Sequence, residues 1–216
     1  IHYKFLDKVA LQKRIEIANI INDEIKDFKI NDALDIGTTE DIDNESSNII
    51  IKKLNNISLF KSISNQNIRS NFFKKKLNKS ITENFSQTEL DEFSSDIVLS
   101  NATIEHVGNE KKQRKMIENI IKLSKKIFVI STPNRLYPID FHTKIPFIHW
   151  LPKSLHRKIL KIIGLKFYAK EENLNLLSYN DLHQFMSQYN LNYKIHKIKL
   201  LKINSNLILI GRVNGT

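Results

Sequence analysis

Ala33-Leu34-Asp35-Ile36-Gly37-Thr38-Thr39-Glu40-Asp41 reads as a short buried strand that ends in an acid and breaks into a loop at one of only five glycines in the chain. Ile30, Ala33, Leu34 and Ile36 supply the apolar run, and Gly37 lets the backbone turn with no Cβ in the way. This is the pattern of a first strand in an open α/β sheet. Ligands of such sheets bind beyond the carboxyl ends of the strands, where the strand order reverses. Asp35 then stands at the lip of that crevice.

Outward from this stretch the chain alternates between helical and strand patterns. Before it, Phe5, Val9, Leu11, Ile15, Ala18, Ile21, Ile25 and Phe28 recur at three- and four-residue steps, the stripe of one or two helices packed on a sheet. After a polar loop from Thr38 to Ser47, Ser46 or Ser47 is positioned to cap a helix through Asn48–Leu54. A second strand is expected at Ile57–Ile63, a modest helix at Ile68–Leu77 and a short third strand at Ser80–Thr82. Strands joined by short helical crossovers build a parallel sheet.

The next buried strand is Ile97–Ser100, leaving the sheet through Asn101 to Val107. Asn109 caps a long helix to Lys125, and Lys126–Thr132 is a fifth strand stopped by Pro133. From there the character changes to a proline-punctuated, aromatic segment, Pro133–Pro152, followed by a basic amphipathic helix at Lys153–Ile163. Long irregular connections inside compact domains are usually functional. Leu177–Leu182 opens another helix, and two alternating strands, Tyr193–Leu200 and Asn206–Val213, close the edge as a hairpin. No repeat or linker divides residues 1–216, so we expect one domain with an N-terminal helical segment (1–29) and an inserted lid (133–177).

Composition narrows the function classes. The chain has 216 residues and no cysteine, which removes disulfides, thiolate metal sites and cysteine nucleophiles. No apolar run is long enough for a spanning helix and no signal-peptide pattern is present, so a soluble, cytoplasmic protein is expected. The formal charge of +11 comes from 34 Lys+Arg against 23 Asp+Glu. The lysine runs are short and interrupted, as on a solvated surface, and nucleic acid is not the expected partner. No phosphate-cradling G-x-x-x-x-G-K-[ST] loop and no dinucleotide G-x-G-x-x-G motif occurs.

The order of elements, the Leu34-Asp35-Ile36-Gly37 loop, the strand Ser95-Asp96-Ile97-Val98-Leu99-Ser100-Asn101-Ala102 and the Glu105-His106-Val107 after it resemble class I S-adenosylmethionine-dependent methyltransferases. The resemblance spans Ile30 to Thr132 for the cofactor half. The Ser131-Thr132-Pro133-Asn134-Arg135 and Pro138-x-x-x-His142-Thr143 segments resemble an unassigned bacterial subgroup that acts on small molecules. The implied fold is Rossmann-like, a doubly wound, mostly parallel seven-stranded sheet with an antiparallel terminal hairpin. The implied cofactor is S-adenosylmethionine. By the resemblance, Asp35, Gly37, Thr38 and Thr39 would hold its methionine part, Ser64 and Asn65 its ribose, Asn84 its adenine, and Ser100, Asn101 and Ala102 the floor beneath the sulfonium.

Two departures from the family's pattern stand out. Thr38, Thr39 and Asp41 occupy the neighbourhood of its second and third glycines. Neutral Ser64-Asn65-Gln66 occupies the place of its ribose-binding acid, for which Glu40, Asp41 or Asp43 is the available substitute. An ionised acceptor makes the stronger hydrogen bond.

Methyl transfer needs alignment of the acceptor and exclusion of water, and a general base only if the nucleophile carries a proton. His106 and His142, both on loops at the carboxyl-end rim, are the base candidates. Asn134, Arg135, Tyr137 and Trp150 are the candidates for contact with a small-molecule substrate, with Asp140 beside them. The lid segment reads either as a cap burying its own apolar face, which the pattern favours, or as a cover for an apolar substrate or a contact with a membrane surface. The histidines lack a His-x-x-x-His spacing, so no metal is expected; Glu105 is the residue the resemblance offers should one bind. The competing function is a degenerate methyltransferase fold that binds a partner without turnover.

Overall fold

A computed structural model describes residues 2–40 and 47–213, with side chains from residue 8. Asp41, Asp43 and Ser46 lie outside the described residues. Seven strands form one sheet: β1 (Asp32–Ile36), β2 (Leu59–Ser64), β3 (Lys75–Asn78), β4 (Ser95–Asn101), β5 (Ser124–Pro133), β6 (Asn192–Leu200) and β7 (Ile203–Arg212). Their spatial order is β3-β2-β1-β4-β5-β7-β6. The first five are parallel, and β7 lies antiparallel between β5 and β6. The helices are α1 (His2–Ile25), α2 (Ile49–Lys52), α3 (Gln87–Phe93), α4 (Glu110–Leu123), α5 (Lys153–Ile162) and α6 (Tyr179–Met186).

The two-residue period of the strands sorts their side chains into two cores. Leu34, Ile36, Val98, Phe128, Ile130, Leu207 and Leu209 meet α4 and α6 on one face. Ala33, Ile97, Leu99, Ile127, Val129, Ile208 and Ile210 meet α1 and α2 on the other. The strand runs are therefore apolar throughout because both faces are covered. On the first of these faces Phe128 pairs across the ladder with Gly211, where an added Cβ would lie 2.0 Å from the Phe128 ring.

Two expectations from the sequence are corrected. The third strand is Lys75–Asn78, not Ser80–Thr82, and no helix forms over 68–77. β3 is the open edge and exposes Lys75, Lys76 and Asn78, so it has no buried alternation to betray it. Charged residues on such an edge oppose further strand pairing. The residues before it form turns because Ile68 and Phe73 are drawn into the α1 face and Phe72 packs on Phe60 with ring centroids 4.4 Å apart. The capping box that starts α3, Ser86 with Glu89, was not anticipated. The helix expected after Ser46 or Ser47 begins after Asn48, whose side chain turns away to Thr39.

Buried charges tie the amino ends of four strands together. Asp32 of β1 pairs with Lys61 of β2 at 2.7 Å and accepts the Asp96 backbone N–H of β4 at 2.8 Å. Lys61 also donates to the Ser94 carbonyl, and Lys126 of β5 pairs with Asp96 at 3.1 Å. Burial acts to raise the Asp32 carboxyl, but the bonds from Lys61 and Asp96 outweigh it and hold the group below its ordinary value. Lys61→Met leaves this carboxylate buried without its partner. We expect a loss of about 3–5 kcal/mol in urea unfolding at neutral pH. Because the Asp32 carboxyl is depressed in the fold, its stabilisation in wild type is complete above the unfolded value and lost as pH falls through the folded one; the gap between the two proteins should narrow in acid.

Candidate functional site

The chain runs from β1 to β2 and β3 on one side, then crosses to β4 on the other. The switch point lies between the carboxyl ends of β1 and β4. A cavity of about 300 Å³ opens there, lined by Asp35, Gly37, Thr39, Asn101, Ala102 and Arg14 among others. Five of these were expected from the sequence. Arg14 was not, since it comes from α1 and a helical stripe gives no hint of what its polar face meets.

Gly37 has φ +81°, and an added Cβ would lie 2.3 Å from the Thr103 hydroxyl. The turn therefore has the positive φ and the close approach for which a glycine is suited. Thr38 and Thr39 avoid crowding the cavity by different means. Thr38 is buried and donates its hydroxyl to the Asp35 carboxylate at 2.7 Å. Thr39 is held through its backbone, whose N–H and carbonyl bond the Asn48 side chain.

Asp35 is 5% exposed. Burial pushes its carboxyl up to about 6, against the Thr38 hydrogen bond and the more distant charge of Lys52. It is a buried carboxylate beside a cavity, with no ion pair of its own among the described residues, an arrangement that clusters at functional sites.

The remaining cofactor candidates are more scattered. Ser64 is buried and donates to the Thr38 carbonyl, while Ser100 donates to the Ile36 carbonyl, so both brace the loop. Asn65 and Asn84 are exposed and do not line the cavity. In the loop after β1, beside Gln66 just past β2, Glu40 accepts the Arg69 N–H through Oε2, and its buried Oε1 has no hydrogen-bond partner among the described residues. Of the acids offered as substitutes at this position, Glu40 alone is among the described residues.

His106 and His142, thirty-six residues apart, are brought together with their Nε2 atoms separated by 3.1 Å. Each ring faces an acceptor through Nδ1: His106 the Asn173 carbonyl at 2.6 Å, His142 the Asp140 carboxylate at 3.1 Å. The ring proton of each therefore sits on Nδ1, and both Nε2 lone pairs point inward. Glu105, fully buried, adds a third acceptor. Its Oε2 is held by the Thr132 hydroxyl at 2.9 Å, and its unpartnered Oε1 lies 3.9 Å from each Nε2. Three converging acceptors suit a cation, either a proton taken up in a reaction or a metal ion. Asp140 is suited to orient His142. Burial raises its carboxyl, but bonds from the His142 ring, the His142 N–H and Thr143 prevail and hold it well below the usual range.

The expectation of no metal rested on spacing within one helix. It does not cover a trio drawn from a short 3-10 helix after β4 and from a distant loop.

The substrate candidates are largely committed to architecture. Asn134 donates to the Asn204 carbonyl and accepts the Leu136 N–H. Arg135 donates to the His149 and Leu151 carbonyls. Tyr137 is buried and stacked on Phe141. Trp150 is 46% exposed and packs edge-on against Phe147.

The architecture is that of the class I methyltransferases. Over 94% of its length the chain superposes on a magnesium protoporphyrin IX methyltransferase of Synechocystis PCC 6803, solved with bound S-adenosylhomocysteine, with a TM-score of 0.57, 11% identity and 82% of that chain covered. The N-methyltransferase NodS from Bradyrhizobium japonicum WM9 gives a TM-score of 0.55 and 9% identity, covering 94% of this chain and 87% of the other. The small RNA methyltransferase HEN1 gives a TM-score of 0.59 and 13% identity, covering 93% of this chain and 25% of the other. No family model and no curated relative matches the sequence.

The raised Asp35 carboxyl has a stability consequence. The folded chain binds that proton more readily than the unfolded one, so its contribution falls as pH rises from 3.8 to about 6 and stays low above. Asp35→Asn should therefore be more stable than wild type at neutral pH by roughly 3 kcal/mol, with the difference vanishing near pH ~4. Urea unfolding of both proteins across this range checks it.

Proposed function

We propose that the protein is an S-adenosylmethionine-dependent methyltransferase acting on a small-molecule acceptor. The observation that carries this reading is the Asp35 carboxylate, buried without an ion pair among the described residues at the β1/β4 switch point of a class I fold. The residues fit the cofactor. Asp35 suits its cationic methionine end, Gly37 permits close backbone approach, and the Glu40 oxygen beside the end of β2, unpartnered among the described residues, supplies an acceptor for a ribose. When bound, S-adenosylmethionine supplies a methyl group on a sulfonium for in-line displacement.

The chain's own part is to position and to handle a proton. Asn101, whose Oδ1 is fixed by the Ser131 hydroxyl at 2.6 Å, and Ala102 form the floor beside the cavity. His142 Nε2 is the base for an acceptor that carries a proton. Asp140 fixes its tautomer and stabilises the imidazolium that forms, and His106 shares the proton across the 3.1 Å contact. Residues 134–177 cover the acceptor side.

One observation favours a second reading of this end of the site. Histidines that bind metals typically give their other ring N–H to a carboxylate or a backbone carbonyl, and His142 and His106 do one of each. With Glu105 they form a set suited to a divalent cation, which would supply Lewis-acid charge and orientation to an oxygen acceptor.

Calorimetry with S-adenosylmethionine and S-adenosylhomocysteine tests the central reading. We expect one-to-one binding that weakens about ten-fold per pH unit below about 6, as protonated Asp35 must first ionise, and that is lost in Asp35→Ala. Failure of the folded protein to bind either compound would leave the non-catalytic binding module. Titration of EDTA-treated protein with Mn²⁺ or Zn²⁺ separates the two roles of the histidines. One-to-one uptake abolished by Glu105→Gln assigns the trio to a metal, and no uptake assigns it to the proton.

A further inference from the structure

A second polar cavity lies away from the switch point, in the segment between β5 and α6. Arg135, His149, Lys153, His156 and Arg157 surround it, with Leu176 among the apolar residues of its wall. It holds about 10 Å³, the room of a single water-sized atom. His149 is 1% exposed and His156 9%. Each has a buried ring nitrogen with no hydrogen-bond partner among the described residues, Nδ1 in His149 and Nε2 in His156, and both residues line the cavity.

The chemistry of the cavity is one-sided. His149 gives its Nε2–H to the Tyr137 carbonyl at 2.7 Å, so a neutral ring leaves a lone pair at Nδ1 and a charged ring leaves an unused donor. Buried polar atoms of either kind require a partner. Around them, Arg135 bonds only backbone carbonyls and Lys153 the neutral Asn175 side chain; Arg157 alone has a carboxylate, Glu171 at 2.7 Å. The nearest other acids are engaged elsewhere, Asp140 with His142 and Thr143 and Asp181 with Ser178. Burial lowers both Lys153 and His156 against the opposing charges of Asp181 and Asp140 respectively, and the positive neighbours add to the lowering. Three part-buried cations around two buried histidines, with one carboxylate in direct contact, leave room for an anion.

We propose that this cluster binds a phosphoryl oxyanion, seating one oxygen in the cavity between His149 and His156 and leaving the others outside it against Arg135, Lys153 and Arg157. Guanidinium groups and a lysine amine at the first turn of α5 are the donors that phosphate recognition employs. The anion has two sources of the same chemistry, a free phosphate group or the headgroup of an anionic lipid. The surroundings make the second worth separating. Residues 141–170 carry seven Lys and Arg and no Asp or Glu, and Phe147, Trp150, Leu155, Ile163 and Phe167 are exposed there. The site stands independently of methyl transfer, and its test needs neither cofactor nor acceptor.

Inorganic phosphate is titrated into the protein at neutral pH by calorimetry, with the histidine C2–H resonances followed by NMR. Saturable one-to-one binding is expected, with the His149 and His156 signals shifting toward the protonated position. Lys153→Met, shown folded by circular dichroism, should weaken it about ten-fold or more, the loss of one charge-assisted hydrogen bond. Sedimentation with phosphatidylglycerol against phosphatidylcholine vesicles is the second arm. Vesicle binding that is specific to phosphatidylglycerol and lost in Lys153→Met identifies the lipid as the source, whether or not free phosphate binds. Silence in both arms, or binding unchanged in Lys153→Met and in His156→Phe, overturns the proposal.

Discussion

The Asp32–Lys61 pair, continued through Asp96 to Lys126, is the constraint on which the rest of the structure depends. Four parallel strands begin at this line of charge. A one-residue slip of any of them would turn its core side chains to the wrong face, and a two-residue slip would part a buried ion from its partner. The levelled amino ends fix where the strands finish, so Asp35, Ser64, Asn101 and Thr132 arrive together at the opposite edge. Ion pairs of this kind contribute little net stability compared with apolar packing. Their value here is register.

The two ends of the sheet treat buried carboxylates in opposite ways. Asp32 is supplied with a lysine and a backbone N–H and is depressed; Asp35, in the same strand, is given one hydroxyl and is raised to about 6. Glu105 likewise has a single hydroxyl partner, with one oxygen held by Thr132 and the other without a hydrogen bond among the described residues. Carboxylates left incomplete by the fold cluster at functional sites, because a ligand can complete them.

Much of this was legible from the sequence. β1, β4 and β5 announce themselves as apolar runs because both faces are covered, and Asn109 and Ser178 mark the helices they cap. β3 was missed because an exposed edge strand of lysines has no apolar period to read. His106 and His142 could be named as candidates from their segments, but not as a pair. Their meeting depends on the path of a long loop, which local pattern does not encode. The same holds for Arg14 at the cavity and for the two histidines around the second one. Asn134, Arg135 and Tyr137 were read as substrate contacts from their polar and aromatic character, while in the fold their bonds hold the segment itself in place.

That segment leaves and returns at one point. Asn134 and Leu177 bridge as adjacent strands, and the Arg135 N–H bonds the Leu177 carbonyl. A loop whose ends already touch imposes little strain on its base whatever its length, since closure entropy grows only slowly with the residues between. Changes of length between these two residues can then accumulate without disturbing the sheet, provided His142, Asn173 and Asn175 keep their bonds to the turn after β4 and Asp140 its bond to His142. The cover over this end of the sheet can thereby be recut piece by piece, while its footing and the few residues that reach the histidines stay as they are.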